Sequence, residues 1–205
     1  MLGINLLKIK LHIKEAMEKE YEEKTDMPVE NTLVQIHYSF DDFMSYSCNE
    51  KLNSSLQSYV EKVPKGVLDL VQSIGYHIEL VEDPAKELGQ NKKWCGVTLL
   101  EQKRILIQAK EYKFRKSVVH EIFHAYDSYF GFVSESAEFH EIFEAEKDSF
   151  IVTGCISDTY HKTNVKEYFA EACQQYVYDA GSLQSSAPRT YAFVKSYIEG
   201  VPNNE

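Results

Sequence analysis

Val118-Val119-His120-Glu121-Ile122-Phe123-His124-Ala125 is the stretch on which the reading of this chain turns. It contains H-E-x-x-H, and its setting is helical in pattern. From Lys113 to Phe130, the residues Val118, Ile122, Ala125 and Tyr129 fall on one stripe, and Gly131 stops the run. On a helix, residues four apart share a face, so His120 and His124 can reach one ion. Zinc takes imidazole nitrogen at about 2.0–2.1 Å. Glu121 adjoins the first histidine and can lean over a water activated there, the place of a general base in a metallopeptidase. The same five residues also suit an ordinary amphipathic helix that happens to carry two histidines. A third ligand decides between these readings.

Catalytic zinc keeps three protein ligands and one open position. Downstream, Tyr160-His161-Lys162-Thr163-Asn164-Val165-Lys166-Glu167-Tyr168-Phe169-Ala170-Glu171-Ala172 leads into a strong helical pattern over Val165 to Tyr178. Glu167 and Glu171 are four apart and share a face, beside a packing surface of Tyr168, Phe169, Ala172 and Tyr176. Either carboxylate can complete a His-His-Glu set, and the spacing leaves the choice open.

With these residues in view, the chain resembles the zinc peptidase family of the anthrax lethal factor catalytic domain and the clostridial Pro-Pro endopeptidases. That family carries H-E-x-x-H on one helix and then Y-x6-E-[FY]-F-A-E-A. Here Tyr160 stands seven residues before Glu167, and EYFAEA occupies 167–172. Glu138 to Glu146 (EFHEIFEAE) and Ala187-Pro188-Arg189-Thr190-Tyr191 are similar to the family's neighbouring helices, so the likeness runs from Lys113 to Glu199. The resemblance implies that His120, His124 and Glu167 bind Zn2+ and that Glu121 is the base. It implies that Tyr160 donates to the oxyanion, and that Glu171 orients a ligand histidine. It implies a zinc metalloendopeptidase acting on peptide or protein, with proline near the cleaved bond. Two other readings use the same residues: a zinc-binding module that no longer cleaves, and a zincin hydrolase of a non-peptide amide. A purely structural helical protein uses none of them.

Around this centre the expected fold is α+β and zincin-like. A small mixed N-terminal part with a short sheet and an edge hairpin precedes a mostly helical C-terminal half. Leu33 to Phe40 and Tyr76 to Val81 read as strands. Val97 to Leu100 and Arg104 to Gln108 read as the hairpin, with Arg104 to Gln108 offered as the edge for an extended peptide. Helices are expected over Asn49 to Lys62, from Pro64 to Gly75, over Ser136 to Lys147, and from Pro188 to Glu199. The segment Pro84 to Gly89 reads as loop. Residues 1–30 read as an extension and 31–205 as the catalytic domain.

Bulk properties bound the rest. The formal net charge of −10 over 205 residues excludes a phosphate-neutralising basic face, so no nucleic-acid partner is expected. No apolar run is long enough to span a membrane. Lys8, Lys10, His12 and Lys14 interrupt the first apolar residues, so no export signal is expected in the sequence as it stands. That points to the cytoplasm, whereas the resemblance implies secretion. Cys48, Cys95, Cys155 and Cys173 form no C-x-x-C pair and read as free buried thiols. His140-Glu141-Ile142-Phe143-Glu144 echoes the first motif without its second histidine, and reads as coincidence. His161 reads as a solvated loop residue, and Trp94 as a candidate to line the cleft. The oligomeric state is not legible.

Overall fold

A computed structural model describes residues 43–45, 49–152 and 159–201. The expected extension 1–30, the strand expected over Leu33 to Phe40, and Cys48 and Cys155 lie outside the described residues.

The described chain is α+β. In order it runs β1 (Met44–Ser45), α1 (Glu50–Val60), α2 (Lys65–Ser73), β2 (His77–Val81), α3 (Pro84–Glu87), β3 (Gly96–Leu99), β4 (Arg104–Gln108) and α4 (Glu111–Tyr129). A 3-10 turn at Val133–Glu135 leads to α5 (Ala137–Glu146), a second 3-10 turn covers Tyr160–Lys162, and α6 (Val165–Ser186) and α7 (Pro188–Glu199) end it. The sheet order is β1-β2-β4-β3, with β1, β2 and β4 parallel and β3 antiparallel to β4. The hairpin is as expected, and its turn places Lys103 at a φ of 54°. The edge is not. Arg104–Gln108 is internal, paired on one side with His77–Val81 and on the other with Gly96–Leu99. Its apolar residues Ile105, Leu106 and Ile107 are fully buried, as a central strand requires. Among the described residues, β3 is therefore the edge on the hairpin side.

Local chemistry sets the helix ends. Asn49 caps α1, accepting from the Leu52 amide at 3.2 Å, and Ser136 caps α5, accepting from the Phe139 amide at 3.2 Å. Gly75 closes α2 at a φ of 88°, where a side chain is strained. Asp83 caps a short α3 where only loop was expected. Helix α6 extends to Ser186 rather than ending at Tyr178, but its geometry breaks just beyond, at Asp179 (φ −159°, ψ 78°). The Asp179 carboxylate accepts from the Ser182 amide at 3.0 Å and so starts a further stretch, as an N-cap does.

Helix α4 is the centre of the molecule. It touches β3 and β4 on one side, α1 and α2 on another, and α6 on a third. The single stripe expected for it understates its burial. Phe114, Val118, Val119, Ile122, Phe123, Ala125 and Tyr126 are all fully buried, and Ser117 and Asp127 nearly so. A helix enclosed on most sides from Ser117 to Asp127 holds its polar groups in fixed places, which suits one that carries a site. Truncating Phe123 to Ala costs about 3–5 kcal/mol in such a setting.

Candidate metal and catalytic site

Helices α4 and α6 pack directly, and their contact brings together residues 43 or more positions apart in sequence. His120 Nε2 lies 3.0 Å from His124 Nε2 and 3.1 Å from Glu167 Oε2, and His124 Nε2 lies 3.4 Å from the same oxygen. Two imidazole nitrogens and a carboxylate oxygen thus converge on one point. Ligand atoms at about 2.0–2.1 Å from a tetrahedral zinc stand about 3.4 Å apart. The observed spacings fit a slightly contracted version of that cage. Among the described residues, His120, His124 and Glu167 form the one group able to hold a metal ion in this way.

The sequence explains why Glu167 is presented there. Asn164 caps α6, accepting from the Lys166 and Glu167 amides, both at 3.0 Å. Glu167 is therefore in the first helical turn, where the helix dipole favours a carboxylate. Burial opposes its ionisation, but hydrogen bonds and charge from His120 and His124 outweigh burial and hold its carboxyl well below the usual range. For His120, burial alone would lower the imidazole's affinity for a proton. Glu167 and Glu171 outweigh that and raise it. A divalent cation would supply positive charge to all three ligand atoms at once, in competition with protons on the histidines.

Glu171 sits one turn beyond Glu167, 1% exposed. Its Oε1 is 3.3 Å from His120 Nδ1, the ring nitrogen that faces away from the convergence point. Its Oε2 accepts from Gln174 Nε2 at 3.1 Å. The distance to Nδ1 is within ion-pair reach, but its direction is poor for a hydrogen bond, and Nδ1 has no well-aligned partner. The geometry thus separates two carboxylates that their spacing alone could not: one joins the convergence point, the other backs His120.

Glu121 is 8% exposed and its charge acts on both His120 and Tyr160. The Tyr160 ring is 6.0 Å from that of His120, on the 3-10 turn that precedes α6. Burial, then the charges of Glu167 and Glu121, push its hydroxyl well above the usual range, so it stays protonated. That turn is tied down by the residue expected to be solvated. His161 is 2% exposed, stacks against Phe150 and Tyr168, and meets the Lys147 carbonyl through Nε2 at 3.2 Å. The tight turn points consecutive residues in different directions, so Tyr160 faces the histidines while His161 goes inward. Burial lowers its proton affinity.

Two neighbours of Glu121 were not singled out from sequence. Thr98 Oγ1 lies 2.8 Å from both the Glu121 carbonyl oxygen and Glu121 Oε2. Gly96 lies so close that a Cβ there would be 2.7 Å from Glu121 Cγ. A glycine inside a strand signals close approach of another group, and that was the available clue. Of the remaining expectations, His140, Glu141 and Glu144 are exposed on α5 and take no part. Cys95 and Cys173 are free and buried. Trp94 is half-buried with Lys92 over its ring.

The family described as anthrax toxin lethal factor, N- and C-terminal domain, matches residues 29–197, and the chain belongs to that family. Among solved structures it is similar to the Pro-Pro endopeptidase from Paenibacillus alvei. That match has 25% sequence identity and a TM-score of 0.61, and covers 76% of this chain and 97% of the other. No curated protein matches the sequence. Among the described residues, no helix is long and apolar enough to cross a membrane.

Proposed function

We propose that this chain is a zinc-dependent endopeptidase that hydrolyses peptide bonds in extended substrates, with proline near the scissile bond. The observation that carries the proposal is the convergence of His120, His124 and Glu167 within 3.4 Å, beside the buried Glu121 and the half-buried Tyr160. Membership of the lethal factor family supports metallopeptidase chemistry, and the likeness to a Pro-Pro endopeptidase supports the proline preference.

When bound, zinc supplies a Lewis acid that activates water and polarises a carbonyl. Glu121 takes the proton from the attacking water as the oxygen bonds to the scissile carbon, and passes it to the amine nitrogen as the C–N bond breaks. Tyr160, kept protonated by its surroundings, donates to the oxyanion that forms on the carbonyl oxygen. Glu171, 3.3 Å from His120 Nδ1, is placed to back that nitrogen and leave Nε2 free for the metal. The side of β3 away from β4, which pairs with no strand among the described residues, offers main-chain donors and acceptors to an extended peptide, taking the role first expected of Arg104–Gln108. Residues 31–205 act as the catalytic unit.

Cleavage of a proteome-derived peptide library, read by mass spectrometry, tests this. Scission should occur in peptides with proline beside the bond, stop on chelation and return with zinc. Zinc binding without any scission would leave a binding module instead, and cleavage confined to non-peptide amides would make it another kind of hydrolase.

A further inference from the structure

Glu121 is gripped from outside its own helix. Strand β3 presents alternate residues to α4, so Gly96 and Thr98, two apart, face the same way. Both meet Glu121. The Thr98 hydroxyl lies 2.8 Å from Oε2 and 2.8 Å from the main-chain oxygen of the same residue, so it bridges the Glu121 side chain to its own helix backbone. The hydroxyl shares its one proton between the two oxygens, and a carboxylate that swings away gives up its part of that bridge. Gly96 supplies the space. A Cβ at 96 would stand 2.7 Å from Glu121 Cγ, 3.1 Å from its Oε1 and 3.1 Å from Ile107 Cδ1. Ile107 is fully buried in the central strand and has little room to move. The side chain that must yield is Glu121.

We propose that Gly96 and Thr98 are positioning residues for Glu121, and that the edge strand which receives the substrate is also the element that aims the general base. The inference rests on the peptidase reading and deepens it. Pairing of a peptide with β3 stiffens the strand holding Thr98, so substrate docking and alignment of the base are mechanically joined. A displacement of 1 Å at a reacting group costs on the order of a hundred-fold in rate, so the grip is of catalytic size.

Thr98→Val keeps the shape and strand preference of the side chain and deletes only the hydroxyl. With zinc content unchanged, it should lower kcat by about ten- to a hundred-fold and leave KM within about two-fold, the loss expected of one hydrogen bond to a charged group. Thr98→Ser should recover most of that rate. Gly96→Ala should lower kcat in the same way while zinc is retained. Unchanged kcat in both Thr98→Val and Gly96→Ala, or an effect on KM alone, overturns the proposal. Crystal structures of the zinc-loaded variants read the same grip without turnover. The Glu121 carboxylate should leave its wild-type position in Thr98→Val and Gly96→Ala and keep it in Thr98→Ser. If it stays put in Thr98→Val, the proposal fails. If the wild-type protein cleaves no peptide, the peptidase reading fails by itself, and the crystal structures still decide the positioning.

Discussion

Replacing Glu171 tests the proposal that Glu167 binds the metal and Glu171 stands behind His120. Glu171 is 1% exposed, and its two oxygens face His120 Nδ1 at 3.3 Å and Gln174 Nε2 at 3.1 Å. Neither faces the point where His120 Nε2, His124 Nε2 and Glu167 Oε2 meet. Glu171→Ala therefore leaves all three ligand atoms in place and removes the support of one. Loss of such a support weakens metal binding by about 10–100-fold, or about 1.4–2.7 kcal/mol at about 1.36 kcal/mol per decade. Glu171→Gln keeps an oxygen able to accept from Nδ1 while losing the charge, so its affinity should fall between wild type and Glu171→Ala. On the proposed ligand set, Glu167→Ala removes one of the three donors and should abolish stoichiometric zinc. Competition against a chromophoric chelator measures all three affinities, with circular dichroism to verify folding. The reasoning is refuted if Glu171→Ala loses zinc altogether while Glu167→Ala retains it, for then the two carboxylates have exchanged roles. It is also refuted if Glu171→Gln and Glu171→Ala bind as wild type does.

Glu121→Ala should keep zinc and abolish turnover, and Tyr160→Phe should keep zinc while kcat falls by about 10²–10³, both read by zinc content and steady-state kinetics. Glu146 is buried on α5 and accepts from the Arg189 and Thr190 amides at 2.9 and 2.8 Å and from Thr190 Oγ1 at 2.8 Å, capping an α7 that has no cap of its own. Glu146→Ala should cost about 2–4 kcal/mol in urea unfolding, with Glu146→Gln milder. Glu79 is held below its ordinary value of 4.5, chiefly by the Arg104 guanidinium at 2.7 Å. A carboxyl lowered by folding stabilises the fold fully above 4.5, and the contribution is lost as pH falls through the lowered value. The stability gap between wild type and Glu79→Gln should therefore be steady down to about pH 5 and narrow as unfolding is moved on to about pH 3.

Much of the site was legible because its parts are local. His120, Glu121 and His124 owe their common face to helical periodicity, and Asn164 presents Glu167 by a cap three residues away. Helix and cap signals act over one turn, so they survive in the sequence. Pairing between distant segments has no such signature. The hairpin could be read from its own residues. Which of its strands lies outermost depended on β2 pairing with Arg104–Gln108, across more than twenty intervening residues.

By itself, then, the sequence determined the H-E-x-x-H helix, the Tyr160 to Glu167 spacing and the helical C-terminal half, all set by contacts within a few residues. Only the tertiary structure decided that Glu167 meets the histidines while Glu171 stands behind His120. It also decided that His161 is buried, that β3 is the edge on the hairpin side among the described residues, and that Gly96 and Thr98 lie against Glu121. Each of those outcomes depends on how α4 is enclosed by α6 and the sheet, and packing between elements is a property of surfaces that no single segment carries.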